Sequence, residues 1–417
     1  MPVPLPDRPH LDQLRRQAKE LRDGVARHEP GALARVAAQV RAPRREVSLA
    51  VAQLTIAREH GFESWPALKA AVDTARSQQG DRVAHFLDAS LTDLGAAQRL
   101  LESDPSFTED PLGAVVTGNV GRVAAILEAD PAWAAAVDDI RGWSPLLYAC
   151  YSRWHADSPD RAEGIRSIAG MLLDAGAPPD SHNGRLPNRG YRSALHGSVS
   201  VDHPGLCRLL LERGAHPDDR VSLALAAGSG ARECLGALLA HGATVAGTWA
   251  LGAAVGAGDA ESVAMLLDAE RRRRGPSEAA GLATEQLCDI AGRGTKRVVE
   301  CLLASGADPD GGGQDPTPLA RAVRAGRGDL AEIILAAGAS TPVSPVDSLL
   351  GACARGDEAA VAAAVAADPG LAGRLDDRDR AALVELAASP SPLPVRLLLD
   401  LGVPVSAGND QGETALH

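Results

Sequence analysis

A nine-residue motif, LLERGAHPD at 210–218, recurs with changes along most of the chain, and its spacing is the strongest constraint on the fold. LLASGADPD at 302–310 and LLDAGAPPD at 172–180 are near-copies. From position 130 to position 402, nine versions of the motif end at an average spacing of 34 residues. That period is typical of solenoids, in which pairs of short helices stack in a row.

A second position fixes the register of each repeat. The residue twelve positions before the end of the motif is glycine in seven of these nine versions, and in the other two it is Asp202 or Pro390. The seven inner glycines are Gly118, Gly164, Gly230, Gly258, Gly294, Gly326 and Gly356, and the glycines that close the motif are Gly176, Gly214, Gly242, Gly306, Gly338 and Gly402. Because glycine adopts a left-handed backbone at little cost, we expect an inner glycine to end a first helix and a closing glycine to cap a second one.

The composition favours the same architecture. Apolar residues make up 45% of the chain but aromatic residues only 3%, and alanine and leucine dominate, which favours helices over a β-sandwich. A lone helix pair cannot bury its apolar face, so each pair has to pack on the next. The sequence therefore predicts an all-α array.

These motifs resemble the ankyrin repeat, whose pattern begins with Thr-Pro-Leu-His and ends with Leu-Leu-x-x-Gly-Ala-Asp. The opening tetrapeptide stands here as SPLL, SALH, TPLA and TALH, at 144–147, 193–196, 317–320 and 414–417. The resemblance covers roughly 95–417 and implies an ankyrin-repeat α-solenoid of about nine helix pairs with short β-hairpin or loop connections. It also implies a non-catalytic role in binding a protein along the concave side, and a structural role for His196 in its turn. Tetratricopeptide repeats, the alternative helix-pair solenoid, lack the GAxPD exit.

Departures from the pattern predict where the array is irregular. Glu270 replaces a closing glycine and is followed by four arginines at 271–274, so we expect a loop there. ASPSPLP at 388–394 replaces an inner glycine, and we expect fast hydrogen exchange near 268–282 and 386–394. The last repeat opening, at 409–417, stops before its helices, which predicts an array truncated at its C-terminal end.

The first 76 residues are not ankyrin-like and are predicted to form a small helical head. Residues 7–76 carry a net charge of +4, whereas the rest of the chain carries −16. The domain prediction is a head at 1–76, a linker and first partial helix at 77–94, and the array at 95–417. The head resembles helical segments that precede ankyrin arrays in some bacterial proteins.

A segment of the head, IAREHGFESWPALKAA at 56–71, raises an alternative function. Its spacing partly fits a DNA-reading helix-turn-helix, so the alternative is a DNA-associated regulator that recruits proteins through its repeats. Pro66 would stand early in the recognition helix, and Trp65 is a typical packing residue. We therefore favour a domain that caps the array, and the acidic body argues against broad phosphate-backbone binding.

Motifs for catalysis, cofactors and membranes are missing from the sequence. There is no GxxxxGK[ST], HExxH or GxSxG motif, so we expect no enzyme, no cofactor and no metal. Glycine pairs such as GSG at 228–230 fall on inter-helix turns, and the arginine run at 271–274 is interpreted as a solvated loop, with nucleic-acid contact as the alternative. Six dispersed cysteines without CxxC favour reduced thiols in a cytoplasmic protein. We expect neither a secretory signal nor a membrane span.

Two groups of residues are candidates for contact with a partner protein. The first is an aromatic cluster around an insertion at 151–163: Trp143, Tyr148, Tyr151, Trp154, His155 and Tyr191. Such rings often dominate interfaces, but they can equally pin the insertion to its own repeat. The second is a set of acidic residues at the tips of the connections between repeats: Asp180, Asp218, Asp219, Asp308 and Asp310. They favour a partner with a basic patch, bound to a monomer of this chain.

Overall fold

The structure is a computed structural model, and it describes residues 3–5, 11–40, 47–184, 190–219, 221–313, 315–387, 390–409 and 411–416, with the backbone alone for 75–79. The described residues form twenty-four α-helices, short 3-10 turns and two isolated β-bridges. The helices are α1 Leu11–Ala26, α2 Pro30–Gln39, α3 Leu49–Glu59, α4 Trp65–Thr92, α5 Leu94–Ser103, α6 Pro111–Thr117, α7 Val120–Ala129, α8 Pro145–Tyr151, α9 Pro159–Asp174, α10 Ala194–Ser200, α11 Pro204–Glu212, α12 Ser222–Ser229, α13 Arg232–Ala240, α14 Ala250–Gly256, α15 Ala260–Arg274, α16 Pro276–Ile290, α17 Lys296–Ala304, α18 Pro318–Arg324, α19 Gly328–Ala336, α20 Pro345–Arg355, α21 Glu358–Ala367, α22 Asp377–Arg380, α23 Ala382–Ala387 and α24 Leu393–Asp400. The prediction of an all-α fold is confirmed.

The chain divides into two compact units. The first comprises residues 1–126 and 152–165, and the second comprises residues 127–151 and 166–417. The domain boundaries expected at 76 and 94 stay predictions.

The first unit begins with a small helical core. On α1, the side chains of Leu11, Leu14, Ala18 and Leu21 share one face and are buried. They pack with residues of α2, α3 and the first turns of α4, as the period of an amphipathic helix requires. Ser64 begins α4 by accepting a hydrogen bond from the Ala67 amide.

Residues 77–81, at the start of the linker and partial helix expected at 77–94, are helical. Helix α4 continues without a break from Trp65 to Thr92. No proline lies at 77–81, and glycine at position 80 costs the helix only about 1 kcal/mol. Val83, Phe86 and Leu87 lie just beyond it and are buried, so their packing outweighs that cost.

The second unit is a row of helix pairs. We call α8, α10, α12, α14, α16, α18 and α20 the first helices, and α11, α13, α15, α17, α19 and α21 the second helices. Each of these first helices packs against the next first helix, and the second helices from α11 to α19 do the same. This nearest-neighbour packing is that of a solenoid. Ser193 and Thr317, in two of the opening tetrapeptides, cap α10 and α18 through their hydroxyl groups. The array is therefore an all-α solenoid of the ankyrin type.

Glycines mark most of the helix ends. All six closing glycines have φ between 87° and 102°, and five of the inner glycines have φ between 68° and 78°. At the equivalent inner position, Asp202 also adopts a left-handed backbone, with φ of 53°. The prediction is wrong for Gly294, which lacks a positive φ, and for Gly164, which lies inside α9. The insertion at 151–163 places the start of α9 earlier than the repeat pattern does. Gly164 instead allows a close backbone approach, because a β-carbon there would lie 2.6 Å from the Gly118 carbonyl oxygen.

The loop expected at 271–274 is helical. Helix α15 passes through Glu270 and ends at Arg274, and Gly275, with φ of 101°, separates it from α16. Without a glycine at 270 nothing stops the helix, and arginine is a good helix former. Arg271 and Arg274 support the extension through ion pairs with Asp268, at 2.9 Å, and Glu270, at 3.3 Å. The expected fast exchange in this region stays a prediction.

Candidate functional site

In the first unit, Trp154 is a core residue. Its indole Nε1 donates a hydrogen bond to the Ser90 hydroxyl at 3.0 Å, and its side chain is buried. The ring lies 6.3 Å from Phe86, which stacks on Phe107 at 4.5 Å, and the Arg161 guanidinium covers the indole at 4.5 Å. Trp154 therefore holds the insertion against the core of the first unit. His155, from the same turn, is half-buried.

In the second unit, three further aromatic residues form a buried cluster. The Trp143 ring lies 5.5 Å from that of Tyr148 and 5.1 Å from that of Tyr151. The Tyr148 hydroxyl donates to the Asp138 carboxylate, and the Tyr151 hydroxyl lies 2.7 Å from His196 Nδ1. Burial raises the pKa of Tyr151 and lowers the pKa of His196, so both groups are held neutral.

Burial decides between the two interpretations of the aromatic residues. Trp143, Tyr148, Tyr151 and Trp154 are each at most 8% exposed, so these rings cannot present a contact surface to a partner as they stand. They pack within the protein. Tyr191, by contrast, is half-buried, with its ring 5.9 Å from that of His182.

Three of the acidic residues at the connections link successive repeats. The Asp180 carboxylate accepts a hydrogen bond from the His216 amide at 2.7 Å, and the Asp218 carboxylate accepts one from the Thr244 amide at 2.6 Å. Asp310 accepts one from the amide of Ser340 at 3.0 Å. In each case the carboxylate stands four residues after one closing glycine, and the amide stands two residues after the next. Hydrogen bonds from the Thr341 amide and from the hydroxyl and amide of Ser340 lower the pKa of Asp310 to about 2.

Of the other two acidic residues, Asp308 holds its own loop, and Asp219 joins its loop to Ser193 at the start of α10. Asp219 accepts hydrogen bonds from the amide of Ser222 at 2.8 Å and from the hydroxyl of Ser193 at 2.9 Å. Asp308 accepts hydrogen bonds from the amides of Asp310 and Gly312, both at 2.9 Å. All five carboxylates thus make hydrogen bonds within the array. The sequence contained the signal for the linking residues in their constant offset from glycine, but we interpreted them only as exposed charge.

One connection between repeats carries an exposed tryptophan that sequence reasoning missed. Trp249 is 85% exposed and lies immediately before α14, in the loop that joins α13 to this first helix. We use the term loop edge for the side of the array formed by such loops, which join a second helix to the following first helix. Val137 and Ile140 are two further exposed apolar residues on connections of this kind. Trp249 stands alone in the sequence, far from the other aromatic residues, so no sequence pattern marks it.

Next to Trp249, the first helices expose small and acidic residues. On α14, Gly252 and Gly256 are exposed and stand three and seven positions after Trp249, on the same helical face. A β-carbon on Gly252 would lie 3.8 Å from Gln286 Oε1 of α16. Helix α16 exposes Glu285 and Asp289 on one face, because four positions separate them.

At the other end of the array, a segment reaches back along the row. We call residues 376–380 the strap. The Arg324 guanidinium of α18 forms ion pairs with Asp379 of the strap, at 2.6 Å, and with Asp347 of α20, at 3.2 Å. Arg378 of the strap donates to the Asp315 carbonyl at 3.4 Å. The strap therefore bypasses the repeat formed by α20 and α21 and contacts residues at and next to α18, which simple nearest-neighbour packing does not predict.

The head contains the two helices that the DNA-binding alternative requires, but their exposed surface carries little positive charge. Gly61, with φ of 86°, lies in the turn between α3 and α4. Near the start of α4, the exposed charged residues are Glu63, Lys69 and Asp73. Trp65 packs against the helical core. Among the described side chains near the start of α4, the exposed charges show no surplus of arginine or lysine, which DNA recognition needs.

Within the described ranges, no group of three or more histidine, cysteine, aspartate or glutamate side chains is arranged to hold a metal ion. Among the helices that the structure describes, none is both long and apolar enough to cross a membrane. Of the six cysteines, all are free thiols, and burial raises the pKa of Cys353 to about 11.

Comparison with known proteins gives similarity at the level of structure alone. No protein-family model matches the sequence, and no curated protein matches it. Among solved structures, an ankyrin repeat domain from Acinetobacter baumannii aligns with 22% identity and a TM-score of 0.35, over 47% of this chain and 98% of that one. The ankyrin repeat domain of human ASB11 aligns with 23% identity and a TM-score of 0.35, over 62% of this chain and 97% of that one.

Proposed function

We propose that this chain is a non-catalytic protein-binding module that holds a partner protein on the loop edge and on the exposed face of the first helices. The observation that carries the proposal is the exposure of Trp249. A tryptophan left in solvent exposes a large apolar area, and tryptophan is among the residues that contribute most binding energy at interfaces. Its place beside a flat first-helix face gives a partner both an anchor and a surface.

The proposed position of the partner excludes the region next to the strap. The Arg324 guanidinium is paired there with both the Asp347 and the Asp379 carboxylates, and all three groups are largely buried. We therefore place the partner toward α12, α14 and α16. The buried aromatic residues and the five acidic residues of the connections act in this proposal by keeping the repeats rigid, which lowers the entropic cost of binding.

Affinity capture with the full chain tests the proposal. We expect Trp249→Ala to abolish capture of the partner protein. Leu335→Ala is the matched control, because Leu335 is a 52% exposed apolar residue on the second helix α19. Equal loss in both variants, or retention of the same proteins by Trp249→Ala, would contradict binding at the loop edge.

A cytoplasmic location and a monomeric state belong to this proposal. The DNA-associated alternative gains no support from the exposed residues of α4. Titration of the full chain with labelled duplex DNA at several salt concentrations tests it. An affinity that falls steeply with salt would favour the alternative over our proposal.

A further inference from the structure

The surface around Trp249 combines an apolar anchor with a face that admits close approach. Trp249, immediately before α14, shares one helical face with Gly252 and Gly256 of α14, and all three residues are exposed. Since the two glycines have no side chains, a bound segment can bring its backbone close to α14. A flat surface of this kind suits an extended or helical peptide that inserts one large side chain against the indole.

The charges beside this surface are acidic. Gly252 of α14 faces Gln286 of α16, so Glu285 and Asp289 lie one helix spacing, about 10 Å, from the Trp249 face. Glu285 and Asp289 project from the exposed face of α16. Helix α16 has fifteen residues, whereas α14 has seven. Its acidic pair lies one turn apart in the second half of the helix and spans about 6 Å.

Two of the nearby arginines are paired with carboxylates, whereas Arg293, four positions after Asp289, is exposed. Arg271 and Arg274, at the end of α15, have carboxylate partners, and Arg273 donates to the Thr244 hydroxyl at 2.6 Å. Arg321 of α18 donates to the Pro316 carbonyl at 3.1 Å. Residues 77–417 as a whole hold 45 acidic and 29 basic side chains, so the long-range field of the array has the same sign as the face of α16.

We propose that the face formed by Trp249, Gly252, Gly256, Glu285 and Asp289 binds a basic peptide segment of a partner protein, in which lysines or arginines flank one large apolar residue. The apolar residue packs on the Trp249 indole. The basic residues lie toward α16 and pair with Glu285 and Asp289, away from the arginines of α15. This proposal rests on the proposed function and adds the chemistry of the partner to it.

Three fluorescein-labelled peptides test the proposal on the full chain: the basic probe GKRFAKRG, its neutral twin GQQFAQQG and its acidic twin GEEFAEEG. By fluorescence anisotropy at low salt, we expect the basic probe to bind about tenfold more tightly than the neutral one, and the acidic twin to bind more weakly than both. Raising the salt concentration should remove most of this difference, because exposed charge pairs are screened.

Two variants separate the anchor from the charge. Trp249→Ala should weaken binding of both the basic and the neutral probe by about thirtyfold, as expected for a tryptophan anchor. Glu285→Gln combined with Asp289→Asn should weaken the basic probe about tenfold and leave the neutral probe unchanged. The matched control is Glu300→Gln with Glu332→Gln, two exposed carboxylates on second helices, which should change neither. Because the substituted side chains are exposed, urea unfolding midpoints should match that of the unmodified chain.

Several results would overturn the inference. These are no binding of the basic probe, an acidic twin that binds equally well, or a Glu285→Gln/Asp289→Asn variant that binds the basic probe like the control. If protein capture still depends on Trp249 in any of these cases, the proposed function stands and only the partner chemistry is wrong. If capture does not depend on Trp249, the proposed function itself fails.

Discussion

The close packing of α18 against α20 predicts that replacing glycine by alanine has opposite effects on stability at Gly351 and at Gly281. A β-carbon on Gly351 of α20 would lie 2.2 Å from the carbonyl oxygen of Val323, whereas ordinary contact begins near 3.4 Å. The two helices would have to separate by about 1.2 Å, and the backbone carbonyl cannot rotate away. Gly281 lies within α16 with no heavy atom within 4 Å of such a β-carbon.

The magnitudes follow from these two environments. In both helices, alanine gains about 1 kcal/mol of helix propensity over glycine. At Gly351, overpacking costs about 1–3 kcal/mol, and the backbone target places the cost at the upper end, so Gly351→Ala should destabilise the protein by about 1–2 kcal/mol. Gly281→Ala should stabilise it by about 1 kcal/mol, since nothing opposes the gain.

Urea unfolding followed by circular dichroism measures both changes, and the two variants should differ in free energy of unfolding by about 2–3 kcal/mol. Hydrogen exchange in α20 should become faster in Gly351→Ala and stay unchanged in Gly281→Ala. Equal stability of the two variants, or a stabilised Gly351→Ala, would refute the close packing of successive first helices.

Three further predictions concern single interactions. Ser90→Ala removes the acceptor of the hydrogen bond from the buried Trp154 indole N–H. We expect urea titration to show a loss of about 1–3 kcal/mol in the free energy of unfolding. An unchanged free energy of unfolding would contradict the buried hydrogen bond. Asp379→Asn weakens the ion pair with Arg324, so amide exchange in the strap should become faster while that of the head is unchanged; no acceleration would mean that the ion pair does not hold the strap. Burial lowers the pKa of His196, so the unfolded state binds the proton more readily than the folded state does. The stability that this difference gives above pH about 6.5 should therefore be lost as the pH falls toward the lower pKa of the folded state. The loss should be smaller in His196→Gln, and an equal pH dependence in both proteins would remove His196 as its source.

Much of the array could be predicted because its signals are local. A glycine that ends a helix acts through its own backbone, so the closing glycines could be recognised by type and spacing alone. The same locality explains two errors. Gly164 has the right spacing but lies in a helix whose start was moved by an insertion, and Glu270 removes a stop without determining the conformation of the residues after it. In the second case the helix continues to Gly275, the next residue able to end it.

The candidate binding surface could not be predicted in the same way, since exposure is a property of the packed array. Trp154 and Trp249 are the same residue type, yet one is in a core and the other in solvent. The sequence around Trp154 does not show that it is buried, because its partners Phe86 and Ser90 lie more than sixty positions away in the chain. The sequence around Trp249 likewise does not show that it is exposed.

The sequence by itself determined the repeat, its period, most of the helix ends and the acidic character of the array, because each depends on residue type and on short, regular spacing. The tertiary structure alone decided which aromatic side chain faces solvent, which carboxylates link repeats, and where the strap lies. These depend on contacts between residues that are 26 to 64 positions apart, and the packing of one helix pair on the next brings such residues together.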